Sequence, residues 1–174
     1  MGYTLGWFEN DVTVGGVTIA LIILGRTLWM WWPGVGALRK SWQQHLLLLG
    51  PFLGAFCYGV LIPMTAGGIL LNVGNAGVSL MNWLGDAALW LGVGSEWAQP
   101  AARAESITLG WQGNALMLVF AFLIPVWAKR EGDVWPGVVC GLGLGTSAGV
   151  TGLVAVPLSQ AWNVAGQTVY GVFV

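Results

Sequence analysis

VTVGGVTIALIILGRTLWMWW, residues 12–32, holds one ionisable side chain, Arg26, and closes in a cluster of tryptophans. A helix needs about 20 consecutive apolar residues to cross a hydrocarbon core of ~30 Å, and this stretch meets that length. A helix is the natural form for it, because an isolated strand leaves its backbone groups unsatisfied in lipid. Three more stretches read the same way, at about 46–71, 107–128 and 134–158. The alternating ten-residue segments of a membrane β-barrel are absent. The expected fold is therefore all-α: a polytopic transmembrane helical bundle of about four membrane-spanning helices plus one amphipathic outer-face helix, forming a single integral membrane domain over 1–174.

Composition points the same way. Hydrophobic residues make up 56% and charged residues 7%, against about 25% charged in soluble domains. Six basic and seven acidic side chains cannot cover a water-facing surface of a 174-residue chain, whereas a lipid-facing surface needs none. The net charge of −1 provides no basic field, so nucleic acid is not expected as a partner. Glu9 and Asp11 stand where a secretory signal would carry basic residues, so the first apolar run is expected to stay as a span.

Basic residues set the expected orientation. Arg39 and Lys40 lie between the first two spans, and Lys129 and Arg130 between the last two. Four spans put both pairs on one side, which the positive-inside rule makes cytoplasmic. Arg26 can snorkel to the same surface. Glu9, Asp11, Asp86, Glu96, Arg103 and Glu105 then fall on the other side, and both termini are expected outside the cell inner (cytoplasmic) membrane of a bacterium. The tryptophans agree: Trp29, Trp31, Trp32, Trp42, Trp127 and Trp135 bracket the inner interface, while Trp7 and Trp111 bracket the outer one. The tetrapeptide Trp-Pro-Gly-Val at 32–35 and 135–138 reads as interface chemistry, since Pro is tolerated at a helix start.

Segment 66–94 is apolar enough to be a fifth span, and Pro63 with Gly67-Gly68 would break the helix before it. A fifth span would put the two basic pairs on opposite sides. The segment is therefore expected to lie at the outer surface or to dip partly inward. The uncharged tail 159–174 is short for a span; lying at the interface and pairing with a neighbouring helix are both open.

Two patterns carry functional expectations. Gly137, Gly141, Gly145 and Gly149 recur every fourth residue, a glycine zipper whose open groove admits another backbone, from this chain or from another subunit. Thr65, Gly68, Asn72, Asn75, Ser79, Asn82 and Asp86 are spaced alternately by three and four, which places them on one helix face. That face has three readings: a surface turned to bulk water, amide bonding between helices, or the lining of a water-filled passage with Asp86 near its mouth. Asn72, Asn75, Ser79, Asn82 and Asp86 are accordingly the candidate pore or docking face.

Catalytic chemistry has little support. The one histidine, His45, has Gln43 and Gln44 beside it and only Glu131 and Asp133 within reach on its membrane face, and no HExxH, GxSxG or phosphate-binding motif occurs. Cys57 and Cys140 sit in apolar runs without metal-binding spacing and read as small buried hydrophobes. Neither cofactor nor metal is expected, and the chain is not expected to be an enzyme. The sequence supports a homo-oligomeric pore or passage component of a bacterial membrane, self-associating within the lipid bilayer. The alternative is an anchor or scaffold bound to other membrane subunits of a secretion or transfer complex.

Overall fold

The computed structural model describes residues 13–32, 35–94, 108–147 and 154–173. Among them the fold is all helical, with six α-helices and no strand. The elements are α1 (Val14–Trp31), α2 (Val35–Leu61), a single 3-10 turn (Ile62–Met64), α3 (Ile69–Val93), α4 (Trp111–Ala128), α5 (Val134–Gly145) and α6 (Val156–Phe173). Trp7, Glu9, Asp11, Glu96, Arg103, Glu105 and Gly149 lie outside the described residues, as do the side chains of Arg39, Lys40 and His45.

Local chemistry sets the boundaries. Thr13 opens α1, its Oγ1 accepting from the Gly16 N–H at 3.2 Å. Trp32 closes α1 in extended geometry, φ −64° and ψ 105°, as a residue preceding proline must. Pro63 lies in the 3-10 turn that ends α2, and Gly67 (φ 149°) and Gly68 (φ 85°) then turn the chain into α3. Gly94, left-handed at φ 69°, returns its N–H to the Trp90 carbonyl at 3.1 Å and stops α3.

Among the described residues, three helical stretches are long and apolar enough to cross a membrane: Val14–Trp31, Leu47–Met64 and Trp111–Ala128. The expected fourth span, 134–158, is not one helix. Its first part, α5, has 12 residues and rises only about 18 Å. Thr146 and Ser147 end it by donating their hydroxyls to the Gly143 and Leu144 carbonyls, local bonds that compete with helix continuation. The expected second span also differs. Helix α2 begins at Val35, upstream of the apolar run, and stops at Leu61 rather than continuing to 71.

Helix α5 is the centre of the bundle, with nine of its twelve residues buried. It runs parallel to α2, as Gly137 meets Phe52, Gly141 meets Phe56 and Gly145 meets Val60. On its other side Cys140 Sγ donates to the Ala20 carbonyl of α1 at 3.3 Å. Helix α3 reaches from the end of α2 across α5 to the first turns of α1: Gly74 lies at Ile62, Gly77 at Leu142, and Gly85 at Gly15. Helix α4 runs antiparallel to α2, with Leu109 N–H bonded to the Met64 carbonyl at 2.8 Å, Tyr58 Oη donating to the Met117 carbonyl at 3.2 Å, and Gly54 beside Trp127. The main core gathers Val60, Leu61, Val78, Met117, Ile124 and Leu142 where these helices converge.

Candidate functional site

The glycine seam is a backbone-to-backbone contact inside the chain. A Cβ on Gly137 would stand 2.6 Å from the Phe52 carbonyl oxygen, and one on Gly145 would stand 2.8 Å from Val60 Cα. At Gly141 it would overlap the Phe56 carbonyl oxygen. Gly59 of α2 answers from the other side, its missing Cβ leaving room for the Val138 carbonyl. Close approach of this kind is what small residues allow between helices in lipid. Gly143, off the four-residue register, faces Ala20 and Met81 instead.

The polar stripe of α3 is largely turned inward. Asn75 and Asp86 are buried, at 8% and 5% exposure. Asn82 Oδ1 accepts from the Thr13 N–H at 3.0 Å and so holds the start of α1. Asp86 stands against Gly15 in the first turn of α1, where the unpaired N–H groups of a helix start favour a negative charge. Thr65 is buried and donates to the Ile62 carbonyl at 2.9 Å. Asn72 and Ser79 are half-buried, and Gly68 is exposed. The opposite face of α3 presents Ile69, Val73, Leu80, Trp83 and Leu91 outward. Helix α3 thus turns the polar residues Asn75 and Asp86 inward, while large apolar side chains stand outward.

Other sequence candidates sit apart. Arg26 is exposed on α1. Asn114 of α4 ties the α2–α3 turn to α4, accepting from the Ala66 N–H and donating to the Leu109 carbonyl. Cys57 and Cys140 are free thiols, half-buried and buried respectively. No three His, Cys, Asp or Glu side chains come together among the described residues.

Helix α6 is the element that hydropathy leaves undecided. It pairs antiparallel with α4: Tyr170 stacks edge-on against Trp111 (4.8 Å between centroids), Trp162 against Phe120 (5.1 Å), and Gly166 rests on the Gln112–Gly113 backbone. Trp162 Nε1–H donates to the Gly113 carbonyl at 3.2 Å, and Asn163 Oδ1 accepts from the Gly110 N–H at 3.0 Å. The signal in the sequence was the spacing Ser159, Trp162, Asn163, Gly166, Tyr170, one helical stripe of bonding and small residues. The side away from α4 exposes Gln160, Ala161, Val164, Ala165, Gln167 and Thr168.

A cleft of about 470 Å³ opens between the α2–α3 turn and α4, lined by Thr65, Gly68, Asn114, Leu118, Ala121 and Phe122 among others. Comparison of the chain with known protein families, with curated proteins and with solved structures finds no match.

Proposed function

We propose that this chain is a non-enzymatic, multi-pass membrane subunit that acts as an anchor or scaffold in a larger complex, joined to its partner through the free face of α6. The observation that carries the reading is a contrast between surfaces. The outward sides of α1 and α4 present Leu21, Ile22, Leu118, Val119 and Phe122, large side chains suited to lipid. The free side of α6 presents Gln160, Ala161, Ala165, Gln167 and Thr168, with Val164 and Val172 as its large apolar side chains. Small and amide side chains are the composition of helix contacts in lipid, and an amide left unbonded in hydrocarbon is costly. Because α6 runs beside α4, a candidate span, that face lies at membrane depth.

The orientation proposed is that of the positive-inside rule. Antiparallel α2 and α4 bring residues 39–40 and 129–130 towards the same end of the bundle, which supports a cytoplasmic placement of that end in a bacterial inner membrane.

A self-assembled passage is the second reading. Its zipper is occupied by α2, and Asn75, Asn82 and Asp86 by contacts within the chain. Half-buried Asn72 and Ser79 are the part of the stripe that still favours it.

Native mass spectrometry of the chain expressed alone, together with photo-crosslinkers at Gln160 and Gln167 in the native membrane, separates the readings. The scaffold reading expects a monomer when purified alone and a crosslinked membrane protein at both positions. A ring-sized oligomer above a dimer would replace it with the passage and call for ion-flux assays on Asp86→Asn. A monomer without any crosslinked protein removes both.

A further inference from the structure

We infer that the outward face of α1 around Arg26 holds the phosphate of an anionic phospholipid. The inference needs α1 to stand in lipid and is independent of what α6 binds. Arg26 is exposed, and among the described residues no carboxylate or carbonyl takes its guanidinium. Its neighbours three and four residues away on the same helix face are Ile22, Trp29 and Met30, each more than half exposed. A cation thus stands in an apolar surface. Arginine stays charged in proteins, and a charge turned to hydrocarbon is costly unless an anion stands beside it.

Depth and charge select the anion. Arg26 lies about 7.5 Å of helix rise before Trp31, the last residue of α1, a distance that its long side chain largely covers. Exposed Trp29 and Trp32 mark the level of the headgroups there. The same end of the bundle carries Arg39 and Lys40 in the second turn of α2, and exposed Lys129 and Arg130 just after α4. Its acids, Glu131 and Asp133, stand between α4 and α5 and form no ion pair with Arg26. Basic groups outnumber acidic ones at this end, a field that favours an anionic headgroup over a zwitterionic one.

A carboxylate on a partner helix fits less well. Helix contacts in lipid are built from small and amide side chains, whereas Ile22, Trp29 and Met30 around Arg26 are large and apolar. A partner's acid could also stand at any depth, while Arg26 stands near the helix end, within reach of phosphates.

The probe is the full chain in nanodiscs of equal parts dioleoyl phosphatidylglycerol and dioleoyl phosphatidylcholine, released into native mass spectrometry. The wild type should retain phosphatidylglycerol in excess over phosphatidylcholine. Arg26→Gln should retain the two equally; the residue is exposed and bonds to nothing in the described chain, so the fold should not suffer. Arg26→Lys should keep a smaller excess, because an ammonium lacks the planar fork that grips two phosphate oxygens. Arg130→Gln removes the same charge from the same end and should keep the wild-type excess. Added inorganic phosphate should leave that excess unchanged; its loss would make free phosphate the ligand. No excess in the wild type, or one that survives Arg26→Gln, overturns the assignment. An equal fall in Arg26→Gln and Arg130→Gln also overturns it, by showing a diffuse field and no site. Where the excess is absent, a protein captured in the native membrane by a photo-crosslinker at Met30 gives this face to a partner's carboxylate instead.

Discussion

Gly141 of α5 and Phe56 of α2 meet backbone to backbone, so that a side chain on Gly141 would have to occupy the place of the Phe56 carbonyl oxygen. The contact fixes the centre of the bundle, and it distinguishes this glycine from others that look equivalent in sequence. Gly92 of α3 has no atom within 4 Å of where its Cβ would stand. Gly141→Ala should destabilise the fold by about 1–3 kcal/mol through overpacking. Gly92→Ala should stabilise it by about 0.5–1 kcal/mol, because alanine loses less backbone freedom in a helix. Unfolding by dodecyl sulfate in mixed micelles measures both. Equal effects at the two sites would mean that the seam between α2 and α5 is not formed as described.

Asn82 gives a direct choice between packing and conduction. Its Oδ1 takes the Thr13 N–H, a bond between α3 and the first turn of α1. Asn82→Ala should therefore cost about 0.6 kcal/mol, the average for side-chain bonds in membrane bundles. The Thr13 amide should exchange faster with solvent deuterium, and liposome ion flux should stay at background. A change in flux with unaltered stability and exchange would turn Asn82 back into a lining residue.

The helical, apolar character of the chain was legible because it depends on runs of residues. Val14–Trp31 lies inside the predicted 12–32, and Trp111–Ala128 inside 107–128. Boundaries were harder wherever hydropathy and backbone geometry part company. Ile62, Met64 and Ala66 are apolar, so a hydropathy reading carries a span past Leu61, while Pro63 and two positive-φ glycines end it. The split of 134–158 was hidden for the same reason, since Thr146 and Ser147 break the helix through hydroxyl bonds that barely alter mean polarity. The i, i+4 glycines gave a face but not its occupant, as any backbone fills such a groove. The 3-4 stripe likewise gave a face, but its direction depends on whether water or lipid surrounds the helix, and only the tertiary packing against Thr13 and Gly15 shows it turned inward.

Gly68 is a position where only glycine suits the backbone. With φ 85° and ψ −162° it occupies a region that other residues scarcely enter. Open space surrounds it, so the effect of Gly68→Ala is conformational and not steric. The expected loss is about 1–3 kcal/mol. Gly50→Ala, also in open space but within α2, should be neutral or mildly stabilising. Parallel unfolding curves decide the matter, and a Gly68→Ala protein as stable as wild type would show that the turn into α3 has another geometry.

Helix α6 rests on the α4 backbone at Gly166, where a Cβ would lie 2.8–2.9 Å from the Gln112 carbonyl carbon and oxygen and the Gly113 nitrogen. Gly166→Leu should lift α6 away, because the obstacle is backbone and cannot rotate aside. Trp162→Phe is the mild counterpart. It keeps a ring against Phe120 but removes the 3.2 Å bond to the Gly113 carbonyl, at a cost of about 0.6 kcal/mol. Hydrogen–deuterium exchange on the protein in lipid nanodiscs reads the result locally. In Gly166→Leu, protection should fall across 156–173 and persist across 134–145, since α5 is fastened to α2 and α1. Trp162→Phe should show a small loss confined to α6. If Gly166→Leu leaves 156–173 as protected as in wild type, α6 is not seated on α4 at Gly166. The free amide face then cannot be placed at membrane depth by that pairing.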